Sequence, residues 1–389
     1  MAPTREELAE KHGRIRAFLQ ERRLDGVVLT SSASVAWYSG GADVHVAVDE
    51  PAGVAALLVE AERVAVLTDR IEAARMAEEA FASYVAASPV PVRFEVRPWH
   101  RSLREQLALL APRAFLGIEE AGEALPEGES RETGPKTLRP LAPEIRRLRH
   151  RLTGREVERY RWLGAQTAAG LEEAARGVRP GWTEWKVAAT LDEALLNRGV
   201  QPIVTLVAAD ERIQRYRHPL ATSNEVRRGC MLVTCARGGG LIAAATRLVH
   251  FGPLSSDLRR RHDAVVRVDA EVLAASKAGE SMGRLFEVLR AAYAAQGFPG
   301  EEELHHQGGV IGYAGREYLA KPNSTDTLVA PQALAWNPSI AGTKSEDTYL
   351  LPENPEQGLE CLTAGEGAWP RLRLEVGGQV LFRPDILVL

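Results

Sequence analysis

Apolar residues recur near helical spacing through REELAEKHGRIRAFLQERRL, Arg5 to Leu24, and predict an opening helix. The short apolar run in DGVVLTS follows a turn signal and predicts a buried strand. VAALLVE and RVAVLTD flank Ala61-Glu62 and predict two paired strands. RIEAARMAEEAFA predicts a helix and RAFLGIE a further strand. This alternation over residues 1 to about 125 predicts an α/β domain.

Residues 121–145 are rich in Gly, Pro, Glu and Thr and are the expected connection, giving domains 1–145 and 146–389. Thr153-Gly-Arg-Glu156 is a capping-box pattern that opens a helix running to the Arg-Pro-Gly at 179–181. TEWKVAATLDEALLNRG predicts a second helix. From about residue 203 the pattern changes to the strand-like runs IVTLVAA, CMLVTCA and LIAAATRLVHFG. Two helical stretches follow, and extended pieces return around HHQGGVIGYAGRE, ALAWNPSIAG and SEDTYLL. Strands, helices and strands again predict an α+β domain with its site on a sheet.

The chain has 389 residues, 45% hydrophobic and 26% charged, which suits a globular protein of one large or two ordinary domains. A net charge of -4 argues against a nucleic-acid or anionic-membrane surface, so neither partner is expected. The basic run from Arg146 to Arg161 is interrupted by Glu156 and Glu158 and predicts a solvated helix face. Three cysteines without a spacing pattern imply no disulfide framework. The N-terminus lacks an apolar signal core, and no apolar run reaches the roughly 18 residues that span a bilayer, so a cytoplasmic protein is expected.

Several segments in order carry a family resemblance: HPLATSNEVRRG, the Thr-Arg of AAATRLV, HHQGGVIGYAGRE, WNPSIAG and KSEDTYLL. Together they resemble the pita-bread hydrolases, namely Xaa-Pro dipeptidases, aminopeptidase P and creatinase. The resemblance implies a creatinase-like N-terminal α/β domain, a pita-bread C-terminal domain and a homodimer. In the peptidases two Asp, one His and two Glu hold two metal ions and activate a bridging water. The matching positions here are Cys235, Ala244, Gly309, Asn337 and Glu346. Alanine and glycine offer no side-chain donor, and one carboxylate cannot hold two divalent ions. The expectation is therefore a protein with no resident metal and no cofactor.

The resemblance assigns roles to what remains. His218 matches the acid–base histidine of creatinase, and an imidazole titrates near the working pH. His305 matches a pocket histidine that polarises the substrate, while His306 is expected to point elsewhere along an extended stretch. Arg316 is expected to clamp a substrate carboxylate, its rival role being an ion pair with Glu317. Glu346 is read either as orienting water or a cationic group, or as a buried carboxylate paired with an arginine. Asn337 and Gln307 are candidate hydrogen-bonding groups for a polar substrate. The paired Gly308 and Gly309 permit close backbone approach. Cys235 is read as an inert core residue, with two alternatives: a nucleophile paired with His218 or His305, or a ligand to a lone zinc ion with His218, His305 and Glu346. Trp182 and Trp185 are expected in the core rather than the site, and the resemblance puts Trp37 on a loop of a kind that can reach a partner subunit's pocket, the lesser of its readings.

The leading functional expectation is a metal-independent enzyme acting on a C–N bond of a small carboxylate-bearing compound. The alternatives are a non-catalytic binding protein and a conventional Xaa-Pro dipeptidase.

Overall fold

The computed structural model describes residues 1–119, 135–365 and 369–389. The chain divides into two compact units, Met1–Glu156 and Val157–Leu389.

The first unit opens with α1 (Arg5–Arg22), capped by Thr4, whose side chain accepts from Glu7 N. Then come β1 (Gly26–Ser31), α2 (Ser32–Ser39), β2 (Ala52–Glu60) and β3 (Val64–Asp69). The helix expected over RIEAARMAEEAFA is broken into α3 (Ala73–Arg75), a π turn (Met76–Ala80) and α4 (Ala82–Ala87). Phe81 N bonds to Met76 O, five residues back, and this wider turn lets both Met76 and Phe81 enter the core. Then come β4 (Val92–Arg97), α5 (Leu103–Leu110), β5 (Phe115–Ile118), β6 (Thr137–Pro140) and α6 (Ala142–Arg147). The six strands form one mixed sheet in the order β4-β3-β2-β1-β5-β6, with β2 antiparallel to β1 and β3. Val28, Leu58, Leu67, Leu107 and Leu116 are among the residues that fill its core.

Of the expected connection at 121–145, residues 121–134 lie outside the described residues. The remainder belongs to the first unit: β6 pairs in parallel with β5, and Ile145 is buried. The basic run after it is solvated only in part: Arg146, Arg147, Arg151 and Arg161 are exposed, as expected, but other charges are not. Arg149 is buried against Glu119 and Ser34, Arg159 is buried, and Glu156 pairs with buried Lys11 at 2.9 Å. A buried cation needs a partner, so these charges follow local pairing rather than the average composition of the segment. Trp37 is likewise no reaching loop residue; it lies fully buried in α2. Trp185, expected in the core, is exposed.

The predicted capping box is formed: Thr153 Oγ1 accepts from Glu156 N and Glu156 accepts from Thr153 N at 2.6 Å. It opens α7 (Gly154–Gly177), followed by α8 (Glu184–Leu196), β7 (Gln201–Ala209), α9 (Glu211–Arg215), β8 (Gly229–Gly238) and β9 (Leu241–His250). Next are α10 (Ser256–Ala275), α11 (Met282–Ala295), β10 (Gly308–Ile311), β11 (Tyr318–Leu319) and β12 (Gln332–Trp336). The hairpin β13 (Ser339–Ile340) and β14 (Thr343–Lys344) leads into β15 (Asp347–Leu351) and β16 (Glu360–Cys361). The chain closes with β17 (Arg371–Val376), β18 (Gln379–Pro384) and β19 (Leu387–Val388). Two sheets dominate this unit, β19-β9-β8-β7 and β11-β10-β12-β15-β16. Side chains of α10 and α11, including Val268, Val272, Leu285 and Leu289, pack with Leu334, Trp336 and Tyr349 of the second sheet. An α/β unit followed by an α+β unit built on two main sheets is what the sequence pattern predicts.

Candidate functional site

The two sheets of the second unit are stitched along β9 and β15. Thr348 Oγ1 accepts from Ala244 N at 2.8 Å and donates to Ala244 O at 3.0 Å. Thr246 N donates to Glu346 O and Ile242 N to Gly312 O. Cys235 on β8 stands directly across from Ala244 on β9, and Gly309 on β10 across from Ala335 on β12. Trp336 pairs with Asp347, so Asn337 and Glu346 follow at the same end of β12 and β15. In this arrangement one acid remains, and it is already saturated.

Glu346 is 2% exposed. Its Oε2 accepts from Lys344 Nζ at 2.7 Å and Thr246 Oγ1 at 2.8 Å, and its Oε1 from Arg316 at 3.2 Å. Burial pushes the carboxyl up, but Lys344 and Arg316, with the hydrogen bonds from Lys344 and Thr246, bring it below the ordinary range. The carboxylate is thus ionised, and each of its oxygens already accepts from a cation. Arg316 pairs with this acid and not with Glu317, which instead accepts from Tyr313 N and Ala314 N. Arg316 and Glu346 therefore do not face one another as separate substrate clamps. Lys344, only 4% exposed, is the residue that sequence reasoning missed. Its signal was the two-residue spacing from Glu346, which puts both side chains on one side of an extended stretch.

The other four positions do not fit a dinuclear metal centre. A Cβ built on Gly309 would meet Tyr318 O at 2.4 Å, and the residue has φ +153°, so no histidine fits there without displacing the backbone. A Cβ on Gly308 would meet Asn337 Oδ1 at 2.9 Å. Ala244 is buried and carries no donor. Burial, reinforced by the Glu346 charge, pushes the Cys235 thiol up to about 11, so it stays protonated and is neither a ready nucleophile nor a ready ligand. Gln307 is not available to a substrate: Tyr293 Oη donates to its oxygen, and its amide donates to His305 O. Asn337 Oδ1, by contrast, is buried with no donor among the described residues.

Three histidines converge beside these cations. The β13–β14 hairpin pairs Ser339 with Lys344, and Ser339 Oγ lies 3.1 Å from His305 Nδ1. His305 Nε2 lies 3.1 Å from His218 Nε2, across 87 residues of chain. The loop bearing His218 is tied down by an ion pair between Arg217 and Glu301. His306 was expected to point away, but Glu301–Glu303 is a 3₁₀ turn and the backbone after it is not a strand. No alternation applies there, and the His306 ring sits 4.8 Å from that of His305 and 5.7 Å from that of His218. Burial first, and Lys344 next, pushes His305 down to about 2. Burial and Arg316 push His306 down to about 4. Burial and Lys344 lower His218 as well, with Glu346 pulling the other way. Both ring nitrogens of His305 are thus engaged, one by Ser339 Oγ and the other by His218 Nε2.

The profile of the creatinase/prolidase N-terminal domain matches residues 11–151. No curated protein matches the chain. Among solved structures, the prolidase from Pyrococcus horikoshii OT3 is 20% identical with a TM-score of 0.72, the alignment covering 92% of this chain and 99% of that one. Dipeptidase PepE from Mycobacterium ulcerans is 20% identical with a TM-score of 0.74, covering 100% and 99%. The N-terminal domain of FACT complex subunit SPT16 from Cicer arietinum (chickpea) is 10% identical with a TM-score of 0.67, covering 92% and 96%. At these identities the likeness speaks for the fold alone. The profile of metallopeptidase family M24 matches residues 158–360, a stretch that includes β9, β15 and the five positions compared above, and the chain belongs to that family.

Proposed function

We propose that this chain is a metal-independent member of its family that cleaves a C–N bond in a small carboxylate-bearing compound, with His218 carrying the proton. The observation that supports this most is the chain of contacts Ser339 Oγ, His305, His218, which ends on an exposed imidazole beside fixed cations. With Nδ1–H of His305 donated to Ser339, His305 Nε2 accepts from Nε2–H of His218. The lone pair of His218 is then on Nδ1, and this ring is the base. It takes a proton from water as the water oxygen attacks the carbon. It then returns that proton to the nitrogen as the C–N bond breaks. The lowered pKa keeps His218 neutral at pH 7, so turnover rises with pH through a value below 6.5 and is level above it.

Lys344 and Arg316 against the single Glu346 leave one positive charge, which supports an anionic substrate. Asn337 Oδ1 is the acceptor for a substrate N–H. The proposed assembly is a homodimer, in which case light scattering at micromolar concentration gives about twice 42.4 kDa.

Two other readings have their own support. The likeness to the N-terminal domain of a FACT complex subunit supports a role as part of a complex, as a binding protein would have. The prolidase and dipeptidase neighbours favour Xaa-Pro dipeptide cleavage. One experiment separates the three. Small amino and guanidino acids are screened by thermal shift, and hits are assayed for ammonia, urea or amine release with EDTA and with added manganese. The expected result is EDTA-insensitive turnover that falls roughly 10²–10⁴-fold in His218→Gln. Manganese-stimulated hydrolysis of Xaa-Pro dipeptides would return the chain to the conventional peptidases. Saturable binding without turnover would make it a binding protein.

A further inference from the structure

His218, His305 and His306 each offer a ring nitrogen, and the three nitrogens lie within 4.8 Å of one another. A four-coordinate zinc ion with Zn–N bonds of 2.0–2.1 Å holds adjacent ligand nitrogens about 3.3 Å apart. His218 Nε2 and His305 Nε2 are already 3.1 Å apart. His305 is held by Ser339 Oγ on its other nitrogen, the support that orients metal-binding histidines and selects their tautomer. His306 is exposed, so a side-chain rotation brings its nitrogen the remaining distance.

We propose that this cluster is a mononuclear site for a divalent transition metal, with zinc as its probe. His218 Nε2, His305 Nε2 and one nitrogen of His306 are the ligands, and a fourth position is left open. The site uses none of the five positions at which the family's dinuclear centre would be built. Imidazoles select zinc, copper or nickel over magnesium and calcium, which prefer carboxylate oxygens. The one Nε2–H shared between His218 and His305 must move to Nδ1 of its own ring, a change of tautomer with no net proton released. Lys344 and Arg316 outnumber Glu346 by one charge, which weakens cation binding but favours an anionic fourth ligand such as hydroxide or a carboxylate. A bound ion also occupies the imidazole that the proposed chemistry needs, so zinc acts as an inhibitor there rather than as a cofactor.

The test is calorimetric titration of the full chain, stripped by chelator, with zinc chloride and then with magnesium chloride. One saturable equivalent of zinc and none of magnesium is expected. His218→Gln and His306→Gln, both at exposed positions, should abolish it, and Ser339→Ala should weaken it roughly 10–100-fold. Zinc should raise the thermal transition of the wild type and leave that of His306→Gln unmoved, which also shows whether the variant is folded. No saturable equivalent, or an equivalent that survives His306→Gln, overturns the site. The titration needs no substrate. Its failure leaves the acid–base reading standing, and a failed turnover assay leaves the metal site standing.

Discussion

Replacing Lys344 by Met tests whether fixed cations organise this site. The ammonium lies 2.7 Å from Glu346 Oε2, with the two side chains 4% and 2% exposed. At an effective dielectric of about 20, such a contact carries roughly 6 kcal/mol of attraction. Most of this offsets the cost of taking both charges out of water. Lys344→Met keeps the stem volume and removes the charge, leaving the carboxylate buried with Arg316 at 3.2 Å and Thr246 at 2.8 Å. Breaking a buried pair from one side costs about 3–5 kcal/mol, and the two remaining partners place this case near the bottom, at about 3 kcal/mol. For a unit the size of Val157–Leu389 that lowers the transition by roughly 6–12 °C. Calorimetry and urea denaturation measure it, with the transition of the second unit followed separately. Adding Glu346→Gln to Lys344→Met should recover at least half of the loss, because a neutral amide no longer needs the ammonium. A single-variant loss below about 1 kcal/mol, or a double variant whose losses simply add, would refute the account of Glu346 as a carboxylate held by fixed cations.

Returning the family's histidine by Gly309→His should destabilise by more than about 2 kcal/mol and recruit no manganese, since its Cβ starts 2.4 Å from Tyr318 O; a well-folded variant that binds two manganese ions would contradict this. His262 is buried between Thr343 Oγ1 and Pro384 O and is pushed down to about 4, chiefly by burial, with the Asp385 charge opposing. Its folded pKa lies below the unfolded 6.5, so the neutral ring stabilises above 6.5, and that stability is lost as pH falls towards 4. The stability deficit of His262→Gln measured at pH 7.5 should therefore shrink by about 3 kcal/mol at pH 4, and a constant deficit would dismiss the titration.

Some of this protein was determined by residue identity alone. Ala244 and Gly309 have no side-chain donor atom in any fold, so that neither side chain can hold a metal needed no coordinates. The Thr153–Glu156 cap is a contact over three residues, and β1, β2 and β3 follow from local apolar runs. The remaining features depended on contacts between distant parts of the chain. Whether Arg316 clamps a substrate or Glu346 depends on a bond across 30 residues, and the His218–His305 contact spans 87. His306 joined the cluster because a 3₁₀ turn removed the alternation that would have pointed it away. Arg149 turned inward because Glu119 stands across from it at a distance of 30 residues in the chain. Local pattern reports what a residue prefers when averaged over its surroundings. A buried charge is decided by the single partner that meets it, and only the tertiary structure supplies that partner.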